Sequence, residues 1–577
     1  MRDSVPANAP MFVKVQAVEP DSEGDVYDVV MAAPHHSFVA NGIVVHNCEE
    51  LGGVKFDLLG IRHLDTLDHF RALVRDRHGR DIDFDTLSEA ELSDPSLWPR
   101  IDQGRTTGIF QVETPGSTRV AKELHPRNVS DLAALVSIVR PGVKDAGLTD
   151  VFLRRRMGEE TVVYDHPLME AIVSDTYGIL VYQEQLMRAA RELARFSAEE
   201  ADGLRKVTAK KKADEIGLWE DKFIGGCLAN PAFVDATPRP RDTAEKIWVS
   251  INASARYSFN QAHAVAYALL ANWEVFGFAH YEPEMLVALM QTDPAAIPRY
   301  VREARRSGIS VLPPDINLSD QKFTIVGDTI RYGIDTIRGV GPAAIKAILR
   351  ARPFVSFDDY LRRVSGYGVS KTVLVNLISV GALDSLGDRR DMLLHLQRRR
   401  ILESISPNKL AAMSPEQKDE LVAKKLTEEP EKWEIPIPDF SDAQVVGKIE
   451  EELLGSLVTV DPMAPYTKTL EANAVSHPDE IDRVPVGDTF DVGGQVTKVK
   501  EHTIQKQGRS FGRKMAFLTM AWNEEEFEVV AFPDTWDRVK ALFVPGSPVL
   551  CRAKRTDRGA SLEGVYRLDL LFDEVPA

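Results

Sequence analysis

A chain of 577 residues with 44% hydrophobic content exceeds the roughly 250–300 residues at which one core stops growing, so three or more domains are expected. Its three cysteines, Cys48, Cys227 and Cys551, are too scattered for a disulfide framework or a zinc knuckle and fit a reducing compartment, the cytoplasm. The net charge of −17 would exclude a nucleic-acid partner only if the cations were dispersed, and they come in runs at 154–156, 205–212 and 398–400, each of which taken alone reads as a solvated helix face.

No membrane partner is expected. The N-terminus lacks an apolar leader core, and the most apolar stretch, AHAVAYALLANWEVFGFAHY, is interrupted by Asn272, Glu274 and His280.

Residues 12–46 alternate in short strand-like runs, FVKVQAVEP, DVYDVVMA, SFVANG and IVVH, with Asn41 and Gly42 suited to a tight hairpin turn. The segment ends in His46, Asn47 and Cys48. An asparagine amide nitrogen can attack its own carbonyl carbon and cut the chain after itself, with a neighbouring imidazole protonating the leaving amine. A following cysteine can first capture an acyl group as a thioester. By itself the triplet reads as an ordinary polar loop. The whole stretch VYDVVMAAPHHSFVANGIVVHNC, however, resembles the two C-terminal blocks of inteins. That resemblance makes His36 the upstream block histidine, His46 the penultimate histidine, Asn47 the cyclising asparagine and Cys48 the first residue of the ligated product, with Asp28 in the same block. The N-terminal splicing block has no counterpart. The implied element is therefore either the C-terminal partner of a split intein, acting in trans on an N-terminal half with its own N-intein, or part of a longer chain.

Next comes CEELGGVKFDLLGIRHL, an apolar run carrying one acid, Asp57, which spacing alone reads as a helix cap or an ion-pair partner. KFDLLG resembles the palm strand of the bacterial C-family replicative polymerases, the DNA polymerase III alpha subunits, whose aspartate is the third metal-binding carboxylate. The resemblance implies two Mg²⁺ ions that activate the primer oxygen and neutralise the departing pyrophosphate. The other two carboxylates belong to a motif upstream of any residue here, so the isolated polypeptide is expected to be inactive.

The resemblance continues through TTGIFQVET (106–114), LVSIVRPGV (135–143), TYGILVYQEQLM (176–187), ADGLRKVTAKKK (201–212), YSFNQAHAVAYALLA (257–271) and LPPDINLS (312–319), the fingers motifs of that family in order. Amphipathic patterns such as QEQLMRAARELARF predict mostly helical fingers. Triphosphate binding needs cations that neutralise phosphate without competing for metal. The family's pattern assigns this to Arg140, Arg205, Lys206, Lys210 and Lys211, with Asn260 and His263 from the FNKSH-like motif. His263 alone reads equally well as a structural histidine. The chain departs from the pattern at Gln261 and Ala262 (usually Lys and Ser) and at Thr208 and Ala209 (usually Met and Gly).

IRGVGPAAIKAILRARPFVSFDDYLRRV resembles a helix-hairpin-helix whose Gly339-Val340-Gly341 turn brings backbone amides to a DNA phosphate. No good copy of the family's sliding-clamp motif occurs in 404–448, so the clamp is expected from kinship only. IEEELLGSLVTVDPMAPY resembles a family element with Asp461 in place of its histidine. The final strands resemble the family's OB-fold, with Lys498, Lys500, Lys506, Arg509, Phe511 and Arg513 as candidate single-strand contacts or plain surface residues.

The fold class implied is multidomain α/β. Its parts are an intein C-terminal fragment over 1–47, a palm remnant over 48–62, mainly helical fingers over 63–312, a helix-hairpin-helix and clamp-binding region over 313–440, a linker over 441–486 and an OB-fold β-barrel over 487–577. The implied function is trans-splicing to an N-terminal half, then template-directed DNA synthesis from dNTPs on primer-template DNA. A non-catalytic DNA-binding remnant and an error-prone paralogue are the rival readings.

Overall fold

The computed structural model describes residues 37–40, 43–46, 60–210, 213–254, 257–364, 369–461, 463–472, 481, 484–505, 510–522, 525–556 and 559–571. The chain forms two compact units, Met1–Ile61 and Arg62–Ala577. In the first, β1 (Ser37–Ala40) pairs antiparallel with β2 (Ile43–His46), Ala40 opposite Ile43 and Ser37 opposite His46. The expected turn at Asn41 and Gly42 lies outside the described residues, as do His36, Asn47, Cys48 and Asp57.

The second unit opens with helices. The 20-residue helix Gln261–His280 is the central one, because a helix apolar nearly all round must be enclosed. Ala264, Ala268 and Ala271 are fully buried and let helix Val129–Ile138 approach closely, while helix Arg62–His78 packs on Glu282–Thr292. Two of the polar residues that interrupt its apolar run, Asn272 and Glu274, are internal ties, whereas His280 is exposed. Asn272 is fully buried, and its Nδ2 donates to the Leu92 carbonyl at 3.0 Å. A second core gathers helices Gln183–Ala194, Ala198–Lys210, Ala213–Leu228 and Pro240–Ser254 around Leu193, Leu204, Phe223 and Trp248. Gly226 is required there, since a Cβ would come within 2.2 Å of the Ala194 carbonyl oxygen.

A small sheet follows, in the order β3 (Val311–Leu312), β5 (Thr329–Arg331), β4 (Thr324–Val326). After it come helices Pro342–Ala351, Phe357–Val364, Lys371–Ser379 and Arg389–Glu403. The stretch 441–486, expected as linker, contains helices Ala443–Leu454 and Ala464–Ala472 with Val446, Leu454, Tyr466 and Leu470 buried. The buried Glu450 carboxylate accepts from the amides of Val458 at 2.7 Å and Thr459 at 3.0 Å. The Arg338 amide donates to the Leu453 carbonyl at 2.8 Å, tying this stretch to the hairpin region.

The chain then closes a five-stranded barrel in the order β10 (Gly559–Arg567), β8 (Glu525–Ala531), β7 (Lys514–Trp522), β6 (Thr489–Thr503), β9 (Pro548–Thr556). All pairs are antiparallel except β8 with β10. β6 serves two neighbours, β9 along its first half and β7 along its second, and its pairing with β7 is irregular between Val496 and Lys498, as barrel closure requires. Inward residues such as Val492, Leu518, Val529, Val549 and Cys551 fill the interior. No helix among the described residues is long and apolar enough to cross a membrane.

Candidate functional site

The start of helix Gln261–His280 meets the start of helix Gln183–Ala194. The Phe259 amide donates to the Val181 carbonyl at 2.9 Å, and the Gln183 amide returns a bond to the Phe259 carbonyl at 2.9 Å. Gln185 stiffens this corner, its side-chain oxygen accepting from the Val181 and Tyr182 amides at 3.0 Å each. Asn260 caps the long helix by accepting from the His263 amide at 2.8 Å. The Glu184 carboxylate binds Asn260 Nδ2 at 2.9 Å and the Gln261 amide at 2.8 Å. Two of the amides that an anion could use at this helix N-terminus are thus already satisfied.

Around that corner four of the residues carried over, from three separate motifs, come together. The exposed Arg140 guanidinium lies 4.4 Å over the Phe259 ring, donates to the Tyr257 carbonyl at 3.4 Å and meets no carboxylate among the described residues. The His263 ring packs edge-on to Phe259, centroids 5.3 Å apart. Arg205 reaches Gln183 Oε1 at 3.5 Å and forks onto Asp202 Oδ1 at 2.9 and 2.8 Å, while Lys206 takes Asp202 Oδ2 at 2.8 Å. Those two cations hold the Asp202 carboxyl below its usual range. The site therefore rests with two cations on one carboxylate, an arrangement that a more highly charged anion can displace. Of Lys210 only the backbone, in helix Ala198–Lys210, is described, and Lys211 lies outside the described residues.

Sequence reasoning missed Glu184, which sits inside the quoted TYGILVYQEQLM motif but whose partners lie far along the chain. It also missed a second tier behind His263. The Tyr267 ring lies tilted, its centroid 4.1 Å from His263 and 5.0 Å from Phe110, and Phe110 lies 4.7 Å from His63. His63 Nδ1 hydrogen-bonds Glu274, a fully buried carboxylate that also accepts from the Phe110 amide at 2.6 Å. Burial raises the Glu274 carboxyl; burial pulls His63 down, yet the bond and charge of Glu274 outweigh it and leave His63 raised.

In the hairpin region Gly339 has φ +84°, the Val340 amide donates to the Ile337 carbonyl at 3.1 Å, and helix Pro342–Ala351 begins after Gly341 without a side-chain cap, with proline at its first position. Val340 is buried, and Asn376 Nδ2 donates to the Arg338 carbonyl at 2.8 Å, bracing the turn. On the barrel, Lys498 and Lys500 are exposed on β6 and Phe511 is 62% exposed. Arg513 is engaged by Asp534 at 2.7 Å and Asp537 at 2.9 Å. Lys506 and Arg509 lie outside the described residues. The described residues hold no group of three or more His, Cys, Asp or Glu side chains able to bind a metal ion.

Residues 63–231 match the family model of the bacterial DNA polymerase III alpha subunit finger domain, and residues 308–393 match that of a helix-hairpin-helix motif. The chain is similar to the DNA polymerase III subunit alpha of Aquifex aeolicus (31% identity over 501 residues, 86% of this chain and 40% of the relative). The corresponding subunit of Thermus aquaticus is 33% identical over 544 residues, 91% of this chain and 42% of the relative. That of Bacillus subtilis is 31% identical over 563 residues, 96% of this chain and 48% of the relative. The chain spans less than half the length of these relatives.

Proposed function

We propose that this chain supplies the nucleotide-binding fingers and the DNA-contacting hairpin and barrel of a DNA polymerase that acts in replication. The observation that carries the reading is the convergence of Arg140, Arg205, Asn260 and His263 on one corner between two helix starts. An incoming dNTP triphosphate, with more negative charge than Asp202, draws Arg205 and Lys206 away from it and meets Arg140 on the same side. Glu184 occupies the Gln261 amide and Asn260 the His263 amide, which leaves phosphate recognition to side-chain cations. The Gly339-Val340-Gly341 turn and the uncapped helix start after it suit the DNA backbone, and the exposed Lys498, Lys500 and Phe511 suit a single strand.

Two finer parts belong to the same reading. Asp57 is this chain's contribution to a two-Mg²⁺ centre whose other carboxylates come from an N-terminal half. That half is joined at Cys48 by intein-mediated trans-splicing, with His36, His46 and Asn47 acting in the cleavage of the junction; the motif chemistry of 26–48 supports this step. A sliding clamp completes the set of partners by kinship, and the cytoplasm is the proposed compartment. The test is co-expression with the N-terminal half, mass spectrometry for a peptide that runs through Cys48-Glu49-Glu50, and primer extension by the product. A ligated product that extends a primer, with KM for dNTP raised about tenfold or more by Arg205→Ala, a loss of roughly 1.4 kcal/mol, supports the reading. A ligated product that extends nothing removes the polymerase assignment, and a chain that keeps residues 1–47 removes the splicing assignment.

A further inference from the structure

The run Arg398, Arg399, Arg400 divides in the structure. Arg398 pairs with Asp419, and Arg399 Nε donates to Glu403 at 2.6 Å. Arg400 meets no carboxylate among the described residues. Its Nη1 is buried without a hydrogen-bond acceptor, and its guanidinium sits 5.9 Å from the Trp433 ring. Glu429, which accepts from the Trp433 indole at 3.1 Å, is itself engaged by Lys425 and Lys432 at 3.0 Å each.

Arg400 borders a pocket of about 190 Å³ lined by Leu361, Val364, Leu374 and Leu396, with Lys371 and the Arg399–Glu403 pair at its edge, so the cations outnumber the single carboxylate, which Arg399 already engages. Partial burial and the nearby Arg400 charge both push the Lys371 ammonium below its usual value, as two uncompensated cations should. A buried N–H without an acceptor is costly, and an anion that draws the Arg400 guanidinium outward into the pocket relieves it. The four apolar side chains are of no use to a phosphodiester backbone. They suit a hydrophobic side chain, since a cavity of about 150 Å³ already accepts a benzene ring.

We propose that this pocket docks an acidic segment of a partner protein, one apolar side chain entering over Leu374 and Leu396 while an adjacent carboxylate pairs with Arg400 and Lys371. Charge complementarity selects the partner, and the apolar floor fixes its register.

The test is fluorescence anisotropy of the full chain with a labelled peptide, Asp-Glu-Asp-Leu-Phe with a free terminal carboxylate. Arg400→Ala should weaken binding at least about tenfold, Arg400→Lys should stay within about threefold of the unaltered chain, and Asp-Glu-Asp-Gly-Gly should bind at least about tenfold more weakly. Equal thermal midpoints of the Lys and Ala variants separate lost contact from lost fold. The proposal is overturned if the unaltered chain does not bind the peptide at about millimolar concentration, if Arg400→Ala binds as tightly as Arg400→Lys, or if the glycine peptide binds equally well. It is also overturned if single-stranded oligothymidylate displaces the peptide and itself loses affinity in Arg400→Ala, which would make the pocket a nucleic-acid contact.

Discussion

Replacing Glu184 with alanine removes the acceptor for Asn260 Nδ2 at 2.9 Å and for the Gln261 amide at 2.8 Å. Hydrogen bonds to a charged group contribute roughly 1.5–3 kcal/mol each when the group is secluded. Glu184 is half-buried, so water takes over part of both bonds on its removal. The carboxylate's attraction to the helix N-terminus adds about 0.3–1 kcal/mol. A net loss of about 2 kcal/mol is therefore expected, concentrated in the first turn of helix Gln261–His280. At about 1.4 kcal/mol per decade this is a roughly 30-fold faster local opening. Hydrogen–deuterium exchange read by mass spectrometry on peptides that span 257–270 measures it directly, because exchange there follows the opening equilibrium. Glu184→Gln keeps an acceptor for the Gln261 amide and should fall between the two. In the ligated enzyme the loosened Asn260 and His263 should raise KM for dNTP. Exchange in that turn within about threefold of the unaltered chain would refute the reasoning, since Glu184 would then contribute neither cap nor placement.

Glu274→Ala leaves His63 and the Phe110 amide without their buried partner and should cost about 3–5 kcal/mol in urea unfolding, with Glu274→Gln milder because it can still accept from Phe110. Since the folded-state pKa of His63 is raised, its contribution to stability is complete below about pH 6.5 and is lost as pH rises through the folded value. The difference in thermal midpoint between the unaltered chain and His63→Gln should shrink over that climb, and a constant difference would count against the pair. Gly339→Ala forces φ +84° on a residue with a Cβ only 3.0 Å from Asn376 Nδ2. It should destabilise the turn by about 1–2 kcal/mol and weaken duplex DNA binding with a shallower salt dependence, and an unchanged salt titration would detach the turn from the phosphate. Asn47→Ala should leave the junction uncut, and recovery of a ligated peptide from that variant would show that another residue cleaves it.

Local regularities were legible in the residues. Apolar spacing announced the helices of the fingers, and the last stretch announced strands between turns, while the barrel was implied by the resemblance alone. Asp202, three and four residues before Arg205 and Lys206, is a helix pairing visible without coordinates. What stayed hidden depends on partners distant in the chain. Glu184 looks like one more charge on the amphipathic helix Gln183–Ala194 until Asn260 and Gln261 are placed beside it. Glu274 and Asn272 read as interruptions of an apolar run, yet their burial serves the Phe110 loop and Leu92. The stretch 441–486, expected as linker, carries helices Ala443–Leu454 and Ala464–Ala472, and Glu450 binds the amides of Val458 and Thr459 in the turn between them.

The three arginines at 398–400 carry this argument furthest, because they share one residue type and one helix. A helix advances about 100° per residue, so consecutive side chains leave it in different directions and enter different surroundings. Arg398 finds Asp419 on another helix, Arg399 finds Glu403 one turn on, and Arg400 turns toward Trp433 and a pocket whose one carboxylate, Glu403, is already taken by Arg399. A run of like charges is consequently a statement about composition, and its chemistry is decided residue by residue by which acids the fold delivers. Where the fold delivers none to a partly buried cation, the missing charge has to come from outside the chain or remain a standing cost to stability.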